Sequence, residues 1–158
     1  MRNFSAAVLA AAVTAFSCAA QEEETCEFDR MYAGAAGTMV FPQGGAKMHR
    51  RSGAALRAGF YLSEFWAVEA EAAWLEDRAG LAAKALWHWW GYERLDPFFT
   101  VGARGWLGDG QAGPAGGAGA FYHLTESLSL RVDADATLGL DSGAVMVYSL
   151  SAGLQMSF

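Results

Sequence analysis

The chain is poor in most of the features that mark a soluble enzyme, a nucleic-acid binder or a helical membrane protein. Cysteine occurs only at Cys18 and Cys26. If secretory processing removes the first, the second has no partner, and the fold cannot rest on an internal disulfide. No Cys/His cluster has metal-ligand spacing, so neither a metal nor any other cofactor is expected. There is no G-x-S-x-G. The glycine-rich run from Gly113 to Gly119 lacks the lysine of a phosphate-binding loop, and its glycines instead let strands or large side chains approach. Basic residues are outnumbered, 11 Lys and Arg against 17 Asp and Glu, for a net charge of −6. Without a basic stripe, nucleic acid is excluded as a partner. Past residue 20 no apolar run of about 18 residues occurs, so no transmembrane helix is expected. Hydrophobic residues nevertheless make up 53% of the chain, and their pattern decides what they cover.

The N-terminus carries Arg2, an apolar run from Ala6 to Phe16, and then Ser17-Cys18-Ala19-Ala20. A basic start, an h-region too short to span as a helix and a small-residue site predict a secretory signal over residues 1–20. Lipidation of Cys18 is a second processing route; the missing leucine and the bulky Phe16 before it depart from that pattern. Cleavage after Ala20 leaves an acidic lead-in over 21–30 and one domain over 31–158. The net charge then becomes −7, from 10 basic and 17 acidic residues.

From residue 31 onward period two governs. In the last thirteen residues Met146, Tyr148, Leu150, Ala152, Leu154, Met156 and Phe158 alternate with Val147, Ser149, Ser151, Gly153, Gln155 and Ser157. That is a strand between two unlike environments. The same reading predicts strands over 32–41, 53–62, 66–75, 81–90, 98–107, 116–124, 128–138 and 146–158. Turns fall at Ser63-Glu64, 75–80, Thr125-Glu126-Ser127 and Asp141 to Gly143, a long glycine-rich connection at 41–53, a further connection at 91–97 and a short loop at 108–114. An internal repeat places Leu62, Glu64 and Val68 on Leu124, Glu126 and Leu130, each copy a strand, an S/T-E turn and a strand. A duplicated hairpin suits a meander. Eight strands of about nine to thirteen residues are each long enough to cross a bilayer core when tilted. The expected fold is all-β: an eight-stranded antiparallel up-and-down transmembrane β-barrel.

The charges agree with an inside-out arrangement. Arg57, Glu69, Glu71, Lys84, Arg104, Arg131, Asp133 and Asp135 all fall opposite the large apolar residues of their strands, four positive and four negative. They are expected to form an interior ion-pair network, because an unpaired buried charge is expensive. Aromatics gather at strand ends on the apolar face: Phe60, Trp66, Trp89, Phe99, Tyr122 and Phe158. A ring at one height is an interfacial girdle. Trp74 and Tyr148 suit the opposite ring, since Trp66 and Trp74 would stand roughly 20 Å apart along the membrane normal after a tilt of around 40°.

R-L-D-P-F-F-T-V-G-A-R-G, G-A-G-A-F-Y-H-L-T-E-S-L-S-L-R-V-D-A-D-A and V-Y-S-L-S-A-G-L-Q-M-S-F resemble the OmpA/OmpX-type outer-membrane barrel family, across most of 31–158. The resemblance implies a location in the cell outer membrane and contact with outer-membrane lipid and lipopolysaccharide. It also implies recognition of the closing strand, through Tyr148, Leu154, Met156 and Phe158, by the barrel-assembly machinery. The peptidoglycan-binding domain of some members is not expected here. A monomer is.

Three functional readings follow. The first is a structural or surface protein whose lumen is closed by ion pairs. The second is a narrow polar pore gated by the same pairs. The third is a lipid-modifying enzyme, for which Ser, His and an acid must meet; His88 and His123 point inward and His49 lies in a loop, none beside a serine in a recognisable pattern, so no catalytic residue is expected. The first connection carries Lys47, His49, Arg50 and Arg51, either a solvated loop or, through Lys47, Arg50 and Arg51, a contact for lipopolysaccharide phosphates.

Overall fold

The computed structural model describes residues 31–43, 50–89, 94–107, 112–139 and 145–158. The expected signal segment, the lead-in, Lys47 and His49 lie outside them. Eight strands are present: β1 (Met31–Gln43), β2 (Arg51–Tyr61), β3 (Trp66–Leu75), β4 (Ala79–His88), β5 (Leu95–Leu107), β6 (Ala112–His123), β7 (Leu128–Gly139) and β8 (Val145–Ser157). Each pairs antiparallel with its neighbours in sequence, and β1 pairs with β8, so the sheet closes into a barrel. Phe158 and Met31 exchange backbone hydrogen bonds of 2.9 and 3.3 Å at the seam.

The register fixes the shape of the wall. From Ser157 it passes through Tyr32, Gly59, Glu69, Lys84, Gly102, Ala115 and Thr137 and returns to β8 at Val147, ten residues from its start. At about 3.3 Å per residue and ~4.8 Å between strands, that stagger tilts the strands by roughly 40°. Such a ring is only wide enough for side chains to fill.

Six strands begin earlier than the alternation suggested, four of them by one or two residues and β5 and β6 by more. β5 starts at Leu95 rather than 98, and β6 at Ala112 rather than 116, so Pro97 and Pro114 stand inside strands. Pro97 accepts a hydrogen bond from Trp89 N through its carbonyl (2.8 Å). Its ring nitrogen faces the same side, beyond the end of β4 at His88, where no ladder donor is needed. Pro114 sits one residue past the Ala115–Thr137 pair, where the β6–β7 ladder ends.

Large apolar side chains point out and charges point in. Val101 is 64% exposed and Leu154 51%, whereas Asp133 is 3% and Arg131 2% exposed. In water this arrangement would waste the apolar surface; in hydrocarbon it is the stable one. The interior has three layers. At the end holding Met31 and Phe158, Tyr32, Leu86, Phe98 and Phe121 form an aromatic floor flanked by Tyr61. The charges occupy the middle. Val40, Leu75, Trp106 and Val147 cap the far end. Gly59 makes room for the floor, because a Cβ there would lie 2.0 Å from the Tyr32 ring.

The outward face of mid-strand Val101 yields a direct check. Val101→Arg should cost about 2–4 kcal/mol of folding free energy in lipid vesicles, read from denaturant titrations; an unchanged midpoint would mean that Val101 does not face hydrocarbon.

Candidate functional site: the charged interior

Five strands supply the interior charges. β7 contributes Arg131, Asp133 and Asp135 at alternate positions, β3 contributes Glu69 and Glu71, and β2, β4 and β5 contribute Arg57, Lys84 and Arg104. Period two puts each group of side chains on the same inner face. The stagger then sets β3 and β2 across the lumen from β7.

All eight join one network of alternating sign. Both Arg131 Nη atoms donate to the Glu69 carboxylate, Nη2 at 3.1 Å from Oε1, and Tyr32 Oη donates to Glu69 at 2.9 Å. Arg131 Nε reaches Asp133 at 2.8 Å. Asp133 also receives Arg57 in a two-pronged pairing of 2.6 and 3.0 Å. Arg57 Nε continues to Glu71 at 3.0 Å. Glu71 is the hub, also receiving Lys84 at 3.0 Å and Arg104 at 2.6 Å. Lys84 and Arg104 meet again at Asp135, 2.6 and 3.3 Å away, where Thr100 donates a further bond of 2.8 Å. Arg104 ends the chain on Ser149 at 2.7 Å.

The layers above and below engage the network directly. The Arg131 guanidinium lies 4.8 Å from the Phe98 ring centre and 5.1 Å from Phe121, a cation–π seat on the floor. Arg104 lies 5.7 Å from Trp106 of the cap. The gap between Arg57, Arg131, Gln155 and the β1–β8 wall admits no water-sized sphere.

One acid of the interior was hidden in a stretch that reads as a turn. Because β5 begins at Leu95, Asp96 shares the inward face of Phe98 and Thr100, and its carboxylate lies 2.6 Å from His88 Nδ1. His88 stacks on Phe121 at 5.8 Å and 9°. The alternation Asp96, Phe98, Thr100 was the available signal, masked by Pro97. His123 instead pairs through Nδ1 with Ser129 Oγ at 2.8 Å. Among the described residues His88 meets an acid and His123 a serine, and no one histidine links both.

On the outer surface Trp66, Trp89, Tyr122 and Phe158 stand exposed near the end carrying Phe158, with Phe60 half-buried beside them. Phe99 is the fifth residue of β5 and sits deeper, a consequence of the early start of that strand; Leu95 occupies the rim. Trp87, which the alternation places outward but the girdle reading left out, packs on both Trp89 and Phe99 at 5.6 and 5.9 Å. At the far rim Arg51 pairs with Asp77 at 3.0 Å, while exposed Arg50 donates to the Met39 sulfur at 2.7 Å. The structure therefore separates the two arginines.

An apolar outer face, a closed antiparallel wall and a charged, filled interior define a membrane-spanning β-barrel. The chain has the eight-stranded fold of outer-membrane barrels of the OmpA/OmpX type. No protein-family model matches it, and no curated protein does. Solved structures do. The attachment invasion locus protein Ail of Yersinia pestis aligns at TM-score 0.63 and 14% identity, covering 83% of this chain and 100% of Ail. Neisserial surface protein A aligns at 0.60 and 15%, covering 81% and 97%. A de novo designed transmembrane β-barrel aligns equally well, at 0.60 and 15%, covering 80% and 95%. A likeness shared with a designed protein is one of architecture.

Removing the hub tests the energetics. Glu71→Leu strands Arg57, Lys84 and Arg104 without their common acid and should destabilise the barrel by roughly 3–5 kcal/mol, measured by urea unfolding from vesicles; a loss under about 1 kcal/mol would show that the hub is dispensable.

Proposed function

We propose that the protein is a small, non-catalytic integral outer-membrane protein whose lumen is sealed by its ion-pair network, and which works through its wall and outer rim. The observation that carries this reading is the single connected network of eight charges, held between an aromatic floor and an apolar cap. Opening a path along the axis would require separating several buried pairs and displacing Tyr32, Phe98 and Phe121. Each unpaired ion left behind would cost several kcal/mol. The pore reading is correspondingly disfavoured.

The end with Met31 and Phe158 faces the periplasm in this reading, with the short turns 62–65 and 124–127. β8, ending next to Phe158, would present the segment taken up by the barrel-assembly machinery. The outward connections span 44–50, 76–78, 108–111 and 140–144. They leave little area for a receptor-binding surface, and a monomer suffices to close the wall.

Planar-bilayer recording tests the seal. The wild-type protein, shown to be folded by its shifted migration in unboiled gels, should give no steady channels. Arg104→Ala should give none either, because the floor remains. Steady wild-type conductance that Arg104→Ala enlarges or abolishes would establish the pore instead.

A further inference from the structure

The outer wall is not evenly covered. On the side of β3, β4 and β5, Trp66, Trp74, Trp87, Trp89 and Phe99 stand outward. On the other side, toward the far rim, lies a groove of about 370 Å³ floored by Gly116, Ala134 and Ala136 and walled by Phe41, Tyr148 and Leu150. That volume falls within the ~300–1,000 Å³ of small-molecule sites. The wall continues past the groove: Leu150 faces Met39 in the register, and the Met39 sulfur is the acceptor for Arg50 Nη2. A thioether is a weak acceptor that carries no charge. Arg50 is thus an exposed cation beside an apolar channel, without a carboxylate partner among the described residues.

The geometry points to a binding site for one lipopolysaccharide molecule, with an acyl chain of lipid A lying in the groove and a lipid A phosphate on Arg50. The apolar floor and walls match the chain, and the guanidinium matches the phosphate through charge-assisted, two-pronged hydrogen bonds. A second copy of the barrel fits less well. All strand carboxylates among the described residues point inward, and the exposed acids of the turn after β3 are already engaged, Glu76 by Ser52 and Asp77 by Arg51, so a second wall packed against this one would offer Arg50 no unengaged carboxylate among the described residues. The site rests on the outer-membrane reading above, which places the far rim in the outer leaflet. It also distinguishes Arg50 from Arg51, whose charge is already met by Asp77.

Native mass spectrometry of the full-length barrel, released from detergent after incubation with lipopolysaccharide, tests the site. The wild-type protein should retain one molecule. Ala134→Leu, which fills the floor, and Arg50→Gln should each lower the retained fraction about tenfold, equivalent to ~1.4 kcal/mol, while Ala70→Leu on the opposite wall leaves it unchanged and Arg50→Lys restores most of it. The proposal is overturned if the wild type retains none or if Ala134→Leu retains as much as the wild type. Equal retention of phosphatidylglycerol, or a wild-type dimer that Ala134→Leu abolishes, also overturns it. The gel shift of each sample reports whether a closed barrel is present, so absent lipid on a folded barrel refutes this site and leaves the outer-membrane reading intact.

Discussion

Everything inside this wall depends on charge neutralisation at close range where water has been excluded. Four cations and four acids occupy the middle of a lumen about one side chain wide. Taken singly, each would carry a desolvation penalty of several kcal/mol. They are tolerated because no charge in the chain from Glu69 to Asp135 faces only its own sign. The hub Glu71 meets three cations, and Asp133 joins Arg57 to Arg131. Such a network is weak evidence for high stability, since an apolar filling of the same volume would serve as well. What it does specify is register: sliding one strand by a single residue would turn its charges out into hydrocarbon.

The stagger of the wall and the charge pattern are therefore one design. Cross-strand neighbours alone would pair Glu69 with Lys84, its register partner. Lys84 instead reaches Glu71 and Asp135, and Glu69 takes Arg131 from β7. Closure brings β7 opposite β3, and those cross-lumen pairs hold the wall against widening. Because the charged layer rests on rings below and meets Trp106 above, none of its members depends on bulk water for a partner.

Much of this was legible in the sequence. Alternation over Leu128 to Leu138 and over Met146 to Phe158 dictates strands with unlike faces, and the sidedness of the eight charges dictates an inverted barrel. What the alternation could not convey was partner choice. Whether Glu69 meets Lys84 or Arg131 depends on the stagger of the whole ring, which no local window contains. Asp96 was lost for a different reason. A proline beside it reads as a turn, yet at the rim of a barrel, where the neighbouring strand has ended, a missing N–H costs nothing. Arg50 and Arg51 look equivalent in the chain. Only the approach of Asp77, from the next hairpin, separates them.

The thinness of β6 connects the interior to the outer surface. A Cβ at Gly117 would lie 2.5 Å from the Asp135 carboxylate, and one at Gly119 would lie 2.5 Å from the Phe98 ring and 2.7 Å from Asp133 Cβ. The acids of β7 and the floor ring of β5 therefore lean across Gly117 and Gly119, two inward positions of β6 that carry no side chain. With Gly116 and Ala118 outward in its middle, β6 is shallow there on that side too, and Ala134 and Ala136 of β7 continue the shallow surface. Glycines inside are demanded by the ion pairs and the floor. The small residues outside are demanded by nothing in the interior, since an outward side chain at 116 would meet only the Thr100 carbonyl oxygen at 3.4 Å. The bare outer surface is thus a property that packing within the barrel does not explain, and the lipid site proposed above would give it a use.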